Sequence, residues 1–248
     1  MRQKLTLITL LMLLTGTATA CDPDIFYLFR QDARDALDSL NKYNPGQISF
    51  RKAVLLHNLA FHKDQNARKE AEKMFDSLAS DGMDNNLVRA FTGSLKMIQV
   101  SQSRKSSKIF KSLSPFRSSP RDDARKGFRM ITEALESDPD NEVLRTLRAT
   151  AAVESAEHLP EMFSTARDDL NWLEAHLDPG DTAVTFFTLI NQAIYYCKYW
   201  QEKGGLKNLE MARQYIARAR DFACLPSYKT WVETWEKRIA DAAQNARK

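Results

Sequence analysis

The sequence predicts an all-α protein, and three observations support this. The 248 residues include only 8 glycines and 8 prolines, too few turn residues for a many-stranded β-sandwich or barrel. Hydrophobic residues make up 43% of the chain, which is enough to build a sizeable core. Apolar residues recur along most of the chain at positions i, i+4 and i+7, the spacing of one face of an amphipathic helix.

The first twenty residues have the form of a secretory signal peptide. A short basic start, Met1 to Lys4, precedes the apolar run Leu5 to Leu14, and small residues follow as far as Ala20. The apolar run is too short for a transmembrane helix, which needs about 20 residues. We therefore expect residues 1–20 to be removed on export and residues 21–248 to form a single helical domain.

The residues around the cleavage site resemble a bacterial lipobox. The string Ala18-Thr19-Ala20-Cys21 puts a cysteine first in the mature chain, the position that is lipidated in lipoproteins. The resemblance implies a lipid anchor on Cys21, to which each buried methylene group contributes about 0.8 kcal/mol. Ala18 stands where leucine is usual, and the same string suits an ordinary signal peptidase, so a soluble periplasmic protein is the alternative. The choice between inner and outer membrane stays open.

One apolar pattern returns five times and organises the rest of the chain. It consists of a small residue, an apolar residue four positions later, and an apolar residue or alanine three positions after that. The occurrences begin at Ala33, Ala71, Gly127, Ala166 and Ala212. A proline follows four of them, where it ends a helix because it lacks an N–H donor and disfavours helical conformation in the residue before it. These prolines are Pro45, Pro139, Pro179 and Pro226.

This pattern resembles the second helix of the tetratricopeptide repeat, in which a small residue lies where two helices approach closely. Residues 131–141 are the best local match to the family's helix junction, and the resemblance covers most of residues 24–222. The spacing of the pattern exceeds the family's unit of roughly 34 residues, so insertions must absorb the excess. The resemblance implies a solenoid of antiparallel helix hairpins whose first helices line a concave, peptide-binding groove. By this resemblance the candidate groove residues are Arg145, Asn191, Tyr195 and Lys198.

Turn residues and the apolar period together give a helix map. Glycine or proline at positions 45–46, 82, 139, 179–180 and 204–205 separates the helices. The last helix carries an apolar stripe, Tyr228, Trp231, Val232, Trp235 and Ile239, typical of a C-terminal capping helix. We predict helices at 24–43, 48–63, 66–81, 85–101, 122–137, 141–156, 160–177, 182–202, 206–222 and 227–245.

Residues 101–121 interrupt this pattern with a Ser-rich basic segment that contains no Asp or Glu. One interpretation is a solvated insertion between two helices. Another is contact with an anionic membrane surface, where each nearby Lys or Arg contributes about 1 kcal/mol, or with an acidic partner. The cations in question are Arg104, Lys105, Lys108, Lys111 and Arg117.

The charge balance and the motif content predict neither nucleic-acid binding nor catalysis. The chain has 36 Lys and Arg against 32 Asp and Glu, a net charge of only +4. No phosphate-binding loop, dinucleotide fingerprint or nucleophile elbow occurs, and the four histidines lack metal-ligand spacing. We therefore expect no enzyme activity, no cofactor and no metal.

Two cysteines besides Cys21 are expected to be buried free thiols. In a hairpin that turns at Gly204-Gly205, Cys224 lies some 12 residues beyond the position opposite Cys197, or about 18 Å along the helix. A disulfide requires Cα atoms within about 7 Å, so these two cysteines are not expected to pair.

Together these observations predict a non-enzymatic binding or scaffold protein of the bacterial cell envelope. We expect a lipid-anchored accessory subunit on the periplasmic side, with an envelope protein as partner, in a secretion, pilus, outer-membrane or transport assembly. One alternative is a small-solute-binding protein with an aromatic pocket near Trp172, Tyr195 and Trp200. A second alternative is a helical enzyme that acts on envelope polysaccharide.

Overall fold

Helices make up nearly all of the described chain. The computed structural model describes residues 24–43, 48–83, 85–102, 120–178 and 180–245. Within these ranges there are ten α-helices, one short 3-10 helix and no β-strand. None of the described helices is long and apolar enough to span a membrane. The signal peptide, Cys21 and the five cations of the basic insertion lie outside the described residues and stay predictions.

The helix bounds agree closely with the helix map. Nine of the ten predicted helices are confirmed with both ends within two residues. The 3-10 helix, Ile25–Tyr27, precedes the first α-helix. In chain order the α-helices are α1 (Arg30–Tyr43), α2 (Phe50–Phe61), α3 (Gln65–Ser80), α4 (Asn86–Gln102), α5 (Pro120–Ser137), α6 (Glu142–Ser155), α7 (Met162–Ala175), α8 (Thr182–Lys203), α9 (Leu206–Asp221) and α10 (Pro226–Asn245).

Capping side chains and glycines set several helix ends. The Asp64 carboxylate accepts hydrogen bonds from the first turn of α3, Asn141 caps α6 and Asp181 caps α8. Each of these bonds satisfies an N–H group that has no partner within its helix and contributes about 1 kcal/mol. Gly204 and Gly205 have φ values of 75° and 87°, which glycine adopts without strain, and they turn the chain from α8 into α9.

The helices form two layers. Each helix packs against the next along the chain, and the even-numbered helices α2, α4, α6, α8 and α10 also pack against one another in sequence. The odd-numbered helices contact chiefly their even-numbered neighbours, so the even-numbered helices form the inner layer. The last helix also contacts α1, and the Tyr228 hydroxyl donates a hydrogen bond of 2.8 Å to the Tyr27 carbonyl oxygen. The two ends of the described chain therefore meet.

The small residues of the repeated pattern lie where helices touch. Four of them are fully buried: Ala33, Ala71, Ala166 and Ala212. Gly127 faces Gly93 across the contact of α5 with α4, and a Cβ atom added to either would lie 2.4 Å from the carbonyl oxygen of the other. This close approach explains why glycine replaces alanine at the third occurrence of the pattern.

The predicted start of the first helix is wrong. We expected a helix from residue 24, but α1 begins at Arg30, after the 3-10 turn and an extended stretch. The five residues from Ile25 to Phe29 are aliphatic or aromatic, and only Tyr27 carries a polar group, so this stretch has no polar face to turn towards water. Its side chains are covered on several sides instead. An irregular segment that lies inside the helix stack makes this possible.

The two described cysteines differ in redox state. Cys197 is buried and free as expected, and burial raises the pKa of its thiol. Cys224 is disulfide-bonded, so the expectation of a free thiol is wrong there. The helix-spacing argument excluded only the pairing of these two residues with each other, and that exclusion is correct.

Candidate binding groove

The inner faces of the five even-numbered helices enclose a groove with two halves. Residues 24–29, called here the leading segment, occupy one half. The other half is an open cavity of about 360 Å³, called here the open half. The two halves are continuous, since Phe61, His62 and Ser94 line the cavities in both.

Two side chains of the inner helices bind the backbone of the leading segment. The Nδ2 amide of Asn58 on α2 donates a hydrogen bond of 2.8 Å to the Ile25 carbonyl oxygen. The Tyr228 hydroxyl on α10 donates a bond of the same length to the Tyr27 carbonyl oxygen. Because both acceptors belong to the main chain, these bonds recognise the path of the backbone rather than its side chains.

Aromatic rings of the groove enclose the side chains of the leading segment. Phe26 stacks on Phe91 of α4 with ring centroids 5.9 Å apart. Phe29 stacks on Phe187 of α8 at 4.9 Å and lies 5.2 Å from the Trp231 ring of α10. Offset and edge contacts of this kind each contribute about 0.5–1.5 kcal/mol beyond the burial of area. The groove therefore prefers flat, apolar side chains.

Buried polar side chains form the floor beneath the leading segment. His57 Nε2 lies 2.8 Å from Ser94 Oγ, and its Nδ1 lies 3.3 Å from the Asn58 side-chain oxygen. These residues, Thr146 and the segment together line a cavity of about 70 Å³. Burial lowers the pKa of His57 to about 4. A general base works best when its pKa is near the ambient pH, so His57 is a weak base for Ser94 and serves as a hydrogen-bonding residue of the floor.

The open half combines charged groups with tryptophan. Lys198 is 6% exposed and donates hydrogen bonds to the Val153 carbonyl oxygen at 3.2 Å and to Glu154 at 3.1 Å. The Arg238 guanidinium lies over the Trp235 ring, 4.7 Å from its centroid. The indole N–H of Trp235 is buried and has no hydrogen-bond partner within the described residues. Ammonium, guanidinium, carboxylate and indole groups thus line one cavity.

Comparisons of the chain with models of known protein families, with curated protein sequences and with solved structures found no match. The geometry of the groove is therefore the basis for assigning a function.

The structure places the four predicted groove residues in two different environments. Lys198 lines the open half, and Asn191 donates a 3.1 Å hydrogen bond to Thr150, which lines the cavity under the leading segment. Tyr195 packs between α8 and α7, with its ring centroid 5.8 Å from that of Phe163. Arg145 turns towards α7, where it ion-pairs with Asp169 at 3.2 Å. Of the four, only Lys198 lines a described cavity, Asn191 contacts a residue that lines one, and the other two lie between helices.

Sequence reasoning missed most of the residues that shape the groove. The leading segment was assigned to a helix, and the aromatic stripe of α10 was interpreted only as a cap. The signal available was the unbroken apolar run Ile25 to Phe29, which suits neither an amphipathic helix nor a solvated linker.

The aromatic residues considered for a solute pocket pack against neighbouring side chains. The Trp172 ring lies between the Arg145 guanidinium and the His176 ring, each 4.0 Å from its centroid. Trp200 is partly buried against the core, and neither cavity described above includes it. Among the described residues, no three His, Cys, Asp or Glu side chains cluster in a way that could hold a metal ion.

Proposed function

We propose that this chain is a non-enzymatic, tetratricopeptide-like binding protein of the bacterial cell envelope whose groove binds a short segment of a protein partner. The leading segment is the observation that carries this proposal. The groove already holds a short stretch of chain through two main-chain carbonyl groups and a set of aromatic rings. A surface that binds one short apolar segment has the chemistry to bind another.

The order of helix contacts supports the tetratricopeptide-like part of the proposal. Hairpins α2–α3, α4–α5, α6–α7 and α8–α9 stack so that their first helices touch one another. The small residues of the repeated pattern lie on the second helices and on α1, at close helix contacts. The family resemblance implies the same arrangement, with a ligand groove on the first helices.

The disulfide at Cys224 supports export. Disulfides persist in oxidising compartments such as the bacterial periplasm and are rare in the cytosol. Residues 1–20 supply the export signal, and the proposed location is the periplasmic face of the envelope.

The lipid anchor that the lipobox predicts on Cys21 and a disulfide between Cys21 and Cys224 exclude each other, and one measurement separates them. A lipidated cysteine holds its sulfur in a thioether, so that sulfur cannot also form a disulfide. With Cys197 free, Cys21 is the remaining cysteine of this chain that could bond Cys224. The intact mass of the unreduced mature chain separates the two states, because acyl chains add mass and an internal disulfide removes two hydrogens.

A charge reversal in the open half tests the function. In cells treated with a cross-linker, we expect Arg238→Glu to lower recovery of an envelope partner by about tenfold or more, because it adds a negative charge to the cavity that Glu154 and Glu157 also line and removes a cation from the groove. Lys237→Glu is the matched control, since it makes the same charge change on the next residue of α10, outside the open half. Equal recovery with both variants, each confirmed as folded by circular dichroism, would refute the proposal.

Solute binding is a second candidate function, favoured by the size of the open half. A cavity of about 360 Å³ lies within the range of small-molecule pockets, about 300–1,000 Å³. This site differs from the one expected near Trp172 and Trp200. A change in melting temperature on adding a small charged or aromatic solute, lost in Arg238→Glu and kept in Lys237→Glu, would favour this candidate over a protein partner.

A further inference from the structure

We infer that the leading segment is a built-in competitor, which occupies the site of the partner's segment and is displaced by it. The partner's segment is a short, uncharged, aromatic-rich stretch of chain, similar in chemistry to Ile25–Phe29. This inference rests on the proposed function and adds the class of ligand and the way in which the groove is kept closed.

The leading segment lies where a groove ligand would lie. It touches four inner helices that are far apart in sequence: α2 through Asn58, α4 through Phe91, α8 through Phe187 and α10 through Tyr228. Its role is that of an occupant held by side chains of the surrounding helices.

The fit between the leading segment and the groove is incomplete. A cavity of about 70 Å³ remains between the segment and the floor. The hydroxyl groups of Tyr27 and Thr146 are buried close to each other without a hydrogen bond of good geometry. Unfilled volume and buried hydroxyls without good partners both weaken binding. A ligand that fills this cavity and supplies the missing hydrogen bonds binds better than the segment does.

The open half gives an incoming segment a place to begin. His62 and Trp231 both line the open half, and their rings lie 5.4 Å and 5.2 Å from that of Phe29. A partner that enters there reaches the end of the leading segment first and can replace it residue by residue along the groove. Displacement therefore needs no separation of the helices.

A labelled peptide tests the competition. The probe is a fluorescein-labelled synthetic peptide with the sequence of residues 22–31, added to the complete mature protein and followed by fluorescence anisotropy. Phe26→Ser weakens the chain's own segment, so we expect this variant to bind the probe about tenfold more tightly than the unaltered protein, because a larger fraction of its grooves is vacant. Phe222→Ser is the matched control, since it removes another partly buried phenylalanine, at the end of α9 and away from the groove. Equal affinities for all three proteins would overturn the inference.

Hydrogen exchange on the unaltered protein keeps the inference testable if Phe26→Ser does not fold. We expect the amides of residues 25–29 to exchange through a local opening, faster than those of α8, and to lose protection when the unlabelled peptide is in excess. Exchange of these amides only on global unfolding would overturn the inference. If recovery of the envelope partner requires Arg238 but the peptide does not bind, the proposed function is retained and the competitor role of the leading segment is refuted.

Discussion

Asp169 shows how single residues hold the two layers together. Its carboxylate is fully buried and accepts two hydrogen bonds from Arg148, at 2.8 Å and 2.7 Å, and one from Arg145 at 3.2 Å. Both arginines lie on α6, in the inner layer, while Asp169 lies on α7. The carboxylate therefore fixes the angle at which an outer helix packs on an inner one, and with it the groove face of α6.

Neutralising the Asp169 carboxylate should destabilise the folded protein. In Asp169→Asn both guanidinium groups stay partly buried without their counter-charge, and we expect the free energy of unfolding to fall by about 3 kcal/mol. Asp168→Asn is the control, because its side chain is 67% exposed and pairs only with its neighbour Arg167 among the described ion pairs. Urea unfolding of both variants measures the difference, and equal losses would contradict this role of Asp169.

At the scale of the helix, the contact between α4 and α5 depends on its two glycines. Replacing an exposed helical glycine by alanine usually raises the free energy of unfolding by about 0.5–1 kcal/mol. At Gly93 we expect the opposite sign, a loss of about 2 kcal/mol, because the new Cβ atom would lie 2.4 Å from the Gly127 carbonyl oxygen.

The measurement is thermal unfolding of Gly93→Ala, with Lys126→Ala on the exposed side of α5 as control. A gain in melting temperature for Gly93→Ala would show that the two helices can separate at little cost. The same variant with Gly127 also replaced should lose more than either single change, because both helices then carry a Cβ atom at the contact.

Helices were predictable from the sequence because their signals are local. An apolar period, a capping aspartate or a Gly-Gly turn acts within a few residues, which is why nine predicted helices agree with the structure. The path of the leading segment depends on contacts with residues up to 201 positions away, such as Tyr228, and no local signal encodes these.

The groove was only half predictable for a related reason. An inner helix of a two-layer stack has apolar and polar contacts on more than one side. The repeat register alone could not tell that Lys198 faces the groove while Tyr195, three residues earlier on α8, faces α7.

For the whole molecule, two buried histidines predict a loss of stability in acid. Burial lowers the pKa of His57 and of His62 to about 4, and the Arg30 charge adds to the effect at His62. An unfolded chain binds protons at these histidines below a pH of about 6.5, whereas the folded chain does not until about pH 4. Stability should therefore fall as the pH drops from 6.5 towards 4, by up to about 1.4 kcal/mol per pH unit for each histidine.

Urea unfolding at several pH values between 6.5 and 5 measures this slope. In that window the pKa values of Asp64 and Glu161, which lie below their usual range, leave both carboxylates ionised in the folded protein. Replacing His57 or His62 by glutamine should remove the contribution of that histidine, which is one proton, from the slope of stability against pH. A slope that is unchanged in both variants would contradict the assignment.

The contact between α10 and the leading segment has a consequence for how the newly synthesised chain folds. A chain whose residue 228 must find residue 27 cannot complete its fold until nearly the whole sequence has been synthesised. An open array of repeats, by contrast, can nucleate early and grow from one end. Late closure would keep the new chain loose, as the proposed export requires, and in the folded protein the same contact ties the last described helix to the start of the described chain.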